Sequence, residues 1–198
     1  MADQPEPLLR DQHYAPEGKT EPSSHRWRGT VEWIVIIAAA LVAALVIKTF
    51  LIQAFYIPSE SMDPALKVRD RVLVNKLSYH LHAIHRGDIV VFKRPPNESG
   101  DTTIKDLIKR VVGLPNETVS QTTDGQVLIN GKPLKEPYTF GKPSIGIQTQ
   151  KIPPGQYWVM GDNRTNSKDS RVFGPISRSL IVGRAFIRVW PVSHITLL

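Results

Sequence analysis

The stretch "VEWIVIIAAALVAALVIKTFLI", residues 31–52, decides how the rest of the chain is interpreted. From Trp33 to Ile47 it contains no charged or strongly polar residue, and Glu32 and Lys48 stand near its two ends. A helix of about 20 apolar residues spans the ~30 Å hydrocarbon core of a bilayer. A buried helix of a soluble protein would normally show a polar stripe, and this stretch has none. Residues 31–52 are therefore predicted to form a single transmembrane anchor helix.

A cleaved secretory signal is the alternative for this stretch, because Arg26 and Arg28 precede its apolar core. The candidate cleavage triplet Ile52-Gln53-Ala54 begins with a bulky residue, however, and the segment continues without a break. An uncleaved single-pass anchor is the preferred interpretation. Basic residues are nearly balanced on its two sides, and those closest to it favour a cytoplasmic N-terminus. The part after the anchor would then lie on the outer (trans) face of the membrane.

The composition on either side of the anchor differs. Residues 1–30 are rich in Pro, Glu, Ser and Gln, and this composition predicts a flexible N-terminal tail. The whole chain of 198 residues has 22% charged and 41% hydrophobic residues, which excludes both a disordered chain and a polytopic membrane protein. The absence of cysteine excludes thiol catalysis, Cys-ligated zinc and disulfides. The net charge of +7 is spread without a dense basic block, so no nucleic-acid partner is expected.

Residues 53–198 have the pattern of a β-rich domain. Short runs enriched in Val, Ile and aromatic residues recur along this part of the chain. They are "RVLVNKL" (71–77), "DIVVF" (88–92), "LIKRVVG" (107–113), "ETVSQ" (117–121), "QVLIN" (126–130), "QYWVM" (156–160) and "GRAFIRVW" (183–190). Asp124-Gly125 and Asn130-Gly131 are signals for tight hairpins between such runs. The predicted fold class is mainly β: one N-terminal transmembrane helix followed by an all-β domain, as an open barrel or a sandwich.

Two serines stand just after the anchor in "AFYIPSESMDPALKV", residues 54–68. Pro58 and Pro64 restrict the backbone around Ser59 and Ser61, so these hydroxyls are expected on a stiff loop. A nucleophilic serine needs a base to accept its proton.

The usual base is histidine, and three histidines form an H-x-H-x-x-H cluster in "SYHLHAIHRGD". A metal site at His80, His82 and His85 is one interpretation of this cluster. A polar loop between strands is preferred, because there is no cysteine and few carboxylates stand beside the histidines. No metal is predicted.

Lys109 is the better candidate for the base. In "DLIKRVVG" a strand places Lys109 and Arg110 on opposite faces, so one of the two cations is forced among apolar neighbours. Burial disfavours the charged form of a lysine and lowers its pKa, whereas an arginine stays charged. From this segment alone, a pair of charges on an exposed edge strand remains the simpler interpretation.

The segment "MGDNRTNSKDSRVFGP", residues 160–175, holds an unusual density of hydrogen-bonding side chains between two glycines. Asp169 and Arg171 are close enough in sequence to form an ion pair. A network of this kind would fix a rigid loop, and an ordinary polar loop is the alternative.

Taken together, four segments resemble the type I signal peptidases, the bacterial leader peptidase family of Ser/Lys serine proteases. The segments are "IPSESMDPAL" (57–66), "RGDIVVF" (86–92), "LIKRVVGLP" (107–115) and "GDNRTNSKDSR" (161–171), in the order that the family has. The anchor directly before the first segment also fits the family. Ala65 and Asn116 depart from its commoner pattern, and neither is a proposed catalytic position.

The resemblance implies a membrane-anchored serine endopeptidase that removes signal peptides from exported preproteins, without a cofactor. It implies Ser61 as nucleophile, Lys109 as general base, and an oxyanion hole made by the Ser61 amide and the Ser59 hydroxyl. Ser167 would hydrogen-bond to Lys109, and the remaining two support residues, Asp169 and Arg171, would brace the site as an ion pair. Residues 53–198 would be the catalytic domain, on a bacterial-type cell membrane or a thylakoid-type membrane.

Strand periodicity and the resemblance agree on the substrate. An extended preprotein added beside an exposed strand turns alternate side chains toward the enzyme. Shallow pockets would then require small residues one and three positions before the scissile bond, an Ala-x-Ala type of site. The secretory preproteins and the phospholipid membrane are thus the expected partners. A self-cleaving Ser/Lys repressor and a membrane-anchored β domain that only binds a partner remain as alternatives.

Overall fold

The computed structural model describes residues 25–47, 51–99, 103–139 and 146–198. Helix α1 covers His25–Val46. Its window Gly29–Val46 has a mean hydropathy of 2.3, and none of that window is buried. Within the described ranges, α1 is the one helix that is long and apolar enough to cross a membrane.

The predicted helix of residues 31–52 differs from α1 at both ends. The helix already begins at His25, within the predicted tail of residues 1–30. At the other end, Ile52 is the first residue of a strand that pairs with a later strand. Pairing with β2 satisfies the backbone N–H and C=O groups on one edge of this apolar segment, so apolar character alone does not decide between a helix and a strand. The remaining residues of the predicted tail, 1–24, lie outside the described residues.

The described chain after α1 is mainly β. Its strands are β1 (Ile52–Tyr56), β2 (Arg71–Asn75), β3 (Ile89–Lys93), β4 (Asp106–Gly113), β5 (Thr118–Gln121), β6 (Val127–Ile129), β7 (Lys132–Pro133), β8 (Gln150–Lys151), β9 (Gln156–Met160), β10 (Ile176–Ser177), β11 (Ile181–Trp190) and β12 (Thr196–Leu197). Two short α-helices, α2 (Ser78–Leu81) and α3 (Ser170–Phe173), and three 3-10 turns, Glu60–Met62, Arg178–Leu180 and Val192–His194, lie between the described strands. All strand pairs are antiparallel.

The strands form two sheets. The larger sheet has the order β1-β2-β11-β3-β4-β9-β10, with β12 also paired to β11, and the smaller has the order β7-β6-β5-β8. Val112, Trp158 and Met160 of the larger sheet pack with Val119 and Val127 of the smaller one, so a shared apolar cluster joins the two. The predicted fold class, mainly β with one N-terminal apolar helix, is confirmed.

Each of the seven β runs predicted from sequence contains a strand. The Asn130-Gly131 hairpin is also confirmed: it joins β6 to β7, and φ is 51° and 76° at its two residues, the left-handed values that a tight hairpin needs. Sequence reasoning missed β1 and the two-residue strands. A two-residue strand is too short to show an alternating pattern, and β1 directly continues the apolar run that was assigned to the helix.

Candidate active site

Ser61 lies in a short 3-10 turn, Glu60–Met62, that follows β1. Ile57 before the turn and Met62 within it are almost completely buried in the same apolar cluster, together with Leu66. The backbone N–H of Leu66 donates to the carbonyl of Met62, at 2.9 Å. The turn is therefore anchored on both sides of Ser61 by buried apolar side chains, and Ser61 itself is only 6% exposed.

Lys109 reaches this turn from β4, which lies inside the larger sheet between β3 and β9. Its Nζ is 2.7 Å from Ser61 Oγ and 2.9 Å from the carbonyl oxygen of Ile108. The side chain is 4% exposed. The interpretation of Lys109 and Arg110 as charges on an exposed edge strand is therefore wrong, because Arg110 pairs with both β3 and β9, and the Ser61 turn lies against the buried Lys109.

Burial lowers the pKa of Lys109 to about 8. The loss of solvation is the largest cause, because it disfavours the ammonium form, and the nearby Arg171 acts in the same direction. The carboxylates of Asp169 and Asp162 oppose the shift. Neither carboxylate forms an ion pair with Lys109 in the described structure, so desolvation prevails.

The Ser59 hydroxyl lies beside the same site. Its Oγ is 3.3 Å from Ser61 Oγ, and the Ser59 side chain is exposed. A hydroxyl at this place can donate a hydrogen bond to charge that develops next to Ser61.

The segment after β9 packs directly on the Ser61 turn. A Cβ at Gly161 would collide with the backbone carbonyl oxygen of Ser61 and with the Ser167 side chain, so only glycine allows this approach. The backbone N–H of Asn163 donates to the same Ser61 carbonyl, at 3.2 Å. The motif that contains Ser61 and the loop that follows β9 are thus held together through backbone contacts.

The ion pair predicted between Asp169 and Arg171 is confirmed. Arg171 donates from Nε to Asp169 Oδ1 and from Nη2 to Asp169 Oδ2, both at 2.8 Å. Asp169 is fully buried and also accepts the backbone N–H of Gly161, at 3.0 Å. The pair therefore fixes the residue that contacts the Ser61 turn.

The hydrogen bond predicted from Ser167 to Lys109 is not formed. The Ser167 hydroxyl is buried without a hydrogen-bond partner among the described residues, although it lies against Gly161 close to the Ser61 backbone. Lys109 instead uses the Ile108 carbonyl as its second acceptor.

Sequence reasoning did not single out two buried ion pairs next to the site. Arg110 donates to both oxygens of Asp162, at 2.8 and 2.6 Å. Arg164 donates to both oxygens of Glu136, at 2.9 and 2.5 Å, and to the Gly161 carbonyl. Strand alternation places Arg110 opposite Lys109 and could have indicated the first pair. No sequence pattern connects Glu136 to the loop after β9.

A small cavity adjoins Ser61 and Lys109. Its volume is about 70 Å³, and its walls are mostly apolar, with Phe55, Ile57 and Leu107 among the lining residues. Ordinary ligand pockets of about 300–1,000 Å³ are much larger. This cavity suits a small apolar side chain.

The histidine cluster does not form a metal site. Across the residues that the structure describes, no group of three or more His, Asp or Glu side chains is placed to hold a metal ion. His80 belongs to α2, and Nδ1 of His82 lies 3.2 Å from the carbonyl oxygen of Ser78, the first residue of that helix.

Comparisons with known proteins identify the family of this chain. The family model for signal peptidases, peptidase S26, matches residues 30–190. A signal peptidase I of Leptolyngbya laminosa is 47% identical over 83% of this chain and 82% of its own length. The signal peptidase IB of Staphylococcus aureus is 37% identical over 83% of this chain and 91% of its own. A crystal structure of a signal peptidase I from Enterococcus faecalis is 32% identical, covers 52% of this chain and 97% of its own, and has a TM-score of 0.42. The chain belongs to the peptidase S26 family of signal peptidases.

Proposed function

We propose that this protein is a membrane-anchored signal peptidase that cleaves exported preproteins with Ser61 as nucleophile and Lys109 as general base. The observation that carries the proposal is the 2.7 Å contact between Lys109 Nζ and Ser61 Oγ. It joins a hydroxyl to a buried amine whose pKa is lowered to about 8. Such an amine is partly neutral near physiological pH and can accept a proton.

In the proposed reaction, neutral Lys109 takes the proton of Ser61 Oγ while that oxygen attacks the scissile carbonyl. The carbonyl oxygen becomes an oxyanion, stabilised by the Ser61 amide and the Ser59 hydroxyl. The protonated Lys109 then donates its proton to the leaving amine, and an ester to Ser61 remains. Water, deprotonated by Lys109, hydrolyses this ester and releases the signal peptide, so the serine and the lysine return to their initial states.

The support residues have different roles in this proposal. Asp169 and Arg171 hold Gly161 in place, and through it the Ser61 turn, by the ion pair and the hydrogen bond described above. The Ser167 hydroxyl has no hydrogen-bond partner among the described residues, and we propose that it accepts a hydrogen bond from Lys109 once Ser61 has become an ester. A buried hydroxyl without a partner costs free energy, and such a contact would relieve that cost.

Two unpaired strand edges flank the cavity, and an extended substrate could form backbone hydrogen bonds with them. β1 is the outermost strand of the larger sheet, and the pairing of β4 with β9 begins only at Arg110, so one edge of Asp106–Lys109 has no strand partner among the described residues. Residues of both edges line the cavity. An extended preprotein hydrogen-bonded there would turn alternate side chains inward, and the small cavity would select alanine-sized ones. This supports the Ala-x-Ala preference.

The length and hydropathy of α1 support a membrane placement. We propose that α1 is an uncleaved single-pass anchor, with a cytoplasmic N-terminus and the catalytic domain of residues 53–198 on the trans face. The hydropathy of Gly29–Val46 supports the anchor. A substrate held in the bilayer by its own signal segment would then meet an enzyme tethered to the same surface.

The test is cleavage of a purified preprotein by the full chain in detergent, followed by sequencing of the new N-terminus. We expect a cut after an Ala-x-Ala site, and Ser61→Ala should reduce the rate by at least about a thousandfold. Ser120→Ala, a half-buried serine of β5 in the smaller sheet, is the matched control and should cleave normally. Cleavage by Ser61→Ala at the normal rate would contradict the proposed nucleophile.

A further inference from the structure

A second concave site is built from the segment Pro64–Asp70 and the end of β11. Its volume is about 420 Å³, within the range of ordinary ligand pockets. It shares no lining residue with the cavity beside Ser61. The proposed reaction therefore does not account for it.

The charge of this pocket is strongly positive. Lys67, Arg69 and Arg188 line it, and Asp70 is the one carboxylate among the lining residues. Asp70 is 4% exposed and already accepts hydrogen bonds from Arg188 Nη1, at 3.3 Å, and from the Lys67 backbone, at 2.9 Å. Arg188 is further held by the carbonyl of His194, at 2.9 Å. One cation of the pocket is thus neutralised and fixed in place.

The other two cations are not neutralised. Lys67 and Arg69 are exposed, and neither side chain forms an ion pair with a described residue. Arg69 also has φ of 76°, in the left-handed region that bulky residues rarely adopt. Glycine or asparagine would adopt this conformation at lower cost, so the backbone does not explain why an arginine stands there. The pocket has two free positive charges ready to bind an anion.

The rim of the pocket is apolar and exposed. Trp190 and Val68 line it and are 49% and 40% exposed, and Val192 and Ile195 beyond β11 are 66% and 54% exposed. The guanidinium of Arg71 lies 5.9 Å from the Trp190 ring centroid. Tryptophan with neighbouring cations is typical of the membrane interface. A free soluble anion would gain nothing from this rim, whereas the acyl chains of a lipid would cover it.

We propose that this pocket binds the headgroup phosphate of one anionic phospholipid, with Lys67 and Arg69 as the phosphate-binding residues and Trp190 and Val68 against the start of the acyl chains. The inference rests on the proposed membrane anchoring, but it does not depend on the catalytic roles of Ser61 and Lys109. Lys67 and Arg69 would then hold the catalytic domain to a lipid surface by charge as well as by apolar contact.

The experiment is native mass spectrometry of the full chain in neutral detergent, with phosphatidylglycerol, phosphatidylcholine or inorganic phosphate added at equal concentration. The test variant is Lys67→Gln/Arg69→Asn, because asparagine tolerates the left-handed conformation and the variant should fold as well as the parent. The matched control is Lys132→Gln/Lys151→Gln, which removes two exposed lysines from the smaller sheet. Ser61→Ala separates lipid binding from catalysis.

We expect the parent chain to retain phosphatidylglycerol in preference to phosphatidylcholine, with inorganic phosphate bound far more weakly. The test variant should lose about tenfold in phosphatidylglycerol affinity, since each basic residue near an anionic surface contributes measurably. The control and Ser61→Ala should bind like the parent, even if cleavage fails in every sample. Equal affinities of the test and control variants would overturn the proposal. If phosphatidylcholine were retained equally, the pocket would make only an apolar contact. If inorganic phosphate were retained equally, the pocket would be only a site for a free anion. Either result would also overturn the proposal.

Discussion

The neighbouring cations on the two sides of β4, Arg110 and Lys109, have different kinds of partner. On one side, Arg110 donates to both oxygens of Asp162 and to the Gly87 carbonyl, and its guanidinium lies 4.2 Å from the Tyr138 ring centroid. On the other side, Lys109 has a serine hydroxyl and a backbone carbonyl as its hydrogen-bond partners, and it forms no ion pair with a carboxylate in the part of the chain that the structure describes. Both side chains are largely buried. Burial of a cation is therefore common to both sides, and the partner is what differs.

This difference separates a structural role from a chemical one. A bidentate carboxylate compensates a buried guanidinium, which remains charged at any physiological pH. An amine without such a partner loses solvation and gains little in return, so its pKa falls toward the working pH. β4 thus carries two neighbouring cations with different roles. Arg110 is a permanent charge that orders the loop after β9, and Lys109 is an amine that can exchange a proton.

The largest expected effect comes from exchanging the two cations. Lys109→Arg should reduce the rate of preprotein cleavage by at least about a thousandfold, because a guanidinium cannot accept the serine proton. The exchange variant Lys109→Arg/Arg110→Lys keeps the composition and moves the amine to the paired side, and it should be equally inactive. The measurement is kcat/KM with a preprotein substrate. An active exchange variant would show that the two sides of β4 are equivalent.

Breaking the paired side should mainly affect stability. Asp162→Asn leaves the buried Arg110 without its carboxylate, and we expect a loss of about 3 kcal/mol in the free energy of unfolding. Chemical denaturation of the variant measures this loss. Asp124→Asn, on an exposed turn, is the control and should change stability by less than about 0.5 kcal/mol. A loss no larger than that of the control would mean that the ion pair is not important for the fold.

Removing the unpaired cation should stabilise the fold while it abolishes activity. The folded-state pKa of Lys109, about 8, lies below the ordinary value of 10.5 that a lysine has in an unfolded chain. The cost of burying the ammonium is therefore fully present below pH 8 and disappears as the pH rises toward 10.5. After the two lost hydrogen bonds are subtracted, Lys109→Met should gain about 2 kcal/mol at pH 7.

Denaturation of Lys109→Met and the parent chain at pH 7 and near pH 10 measures this gain. The difference between the two proteins should shrink at the higher pH. A variant that is less stable than the parent at pH 7 would contradict the interpretation that desolvation dominates at Lys109.

The smallest expected effect is a shift in the pH dependence of cleavage. The rate should rise with pH through an acidic limb with its midpoint near 8, as Lys109 loses its proton. Asp162 raises the pKa of Lys109, so Asp162→Asn should move the limb to lower pH by less than about one unit. The profile of kcat/KM against pH, recorded for the parent chain and for Asp162→Asn, measures this shift of the limb. A limb that moves to higher pH would contradict the sign of the Asp162 effect.

Much of the fold could be predicted from local pattern. The seven predicted β runs and the Asn130-Gly131 hairpin depend on side-chain alternation and turn chemistry, which neighbouring residues largely determine. The apolar run indicated a helix, and this pattern too is determined by residues that are neighbours in the sequence. Its boundary was wrong at Ile52, because the pairing of β1 with β2 depends on residues about twenty positions away in the sequence.

Some contacts of the candidate site were predicted from the sequence, and others were not. Ser61 and Lys109 were expected together, and they lie in hydrogen-bond contact. The hydrogen bond expected from Ser167 to Lys109 is absent from the described structure, because rotamer and backbone placement decide it rather than sequence spacing. Glu136 was not found at all, since it lies in the segment after β7 and meets Arg164 only through the packing of distant segments.

The sequence by itself determined an apolar helix, a β-rich remainder and the presence of two adjacent cations on one strand, because these features follow from periodicity within a few residues. Only the tertiary structure decided which cation is paired. Asp162 lies far along the chain from Arg110, and the antiparallel pairing of β4 with β9 brings the two together. The pKa of Lys109 depends on the same long-range packing, because the segments that cover the amine and exclude water come from separate parts of the sequence.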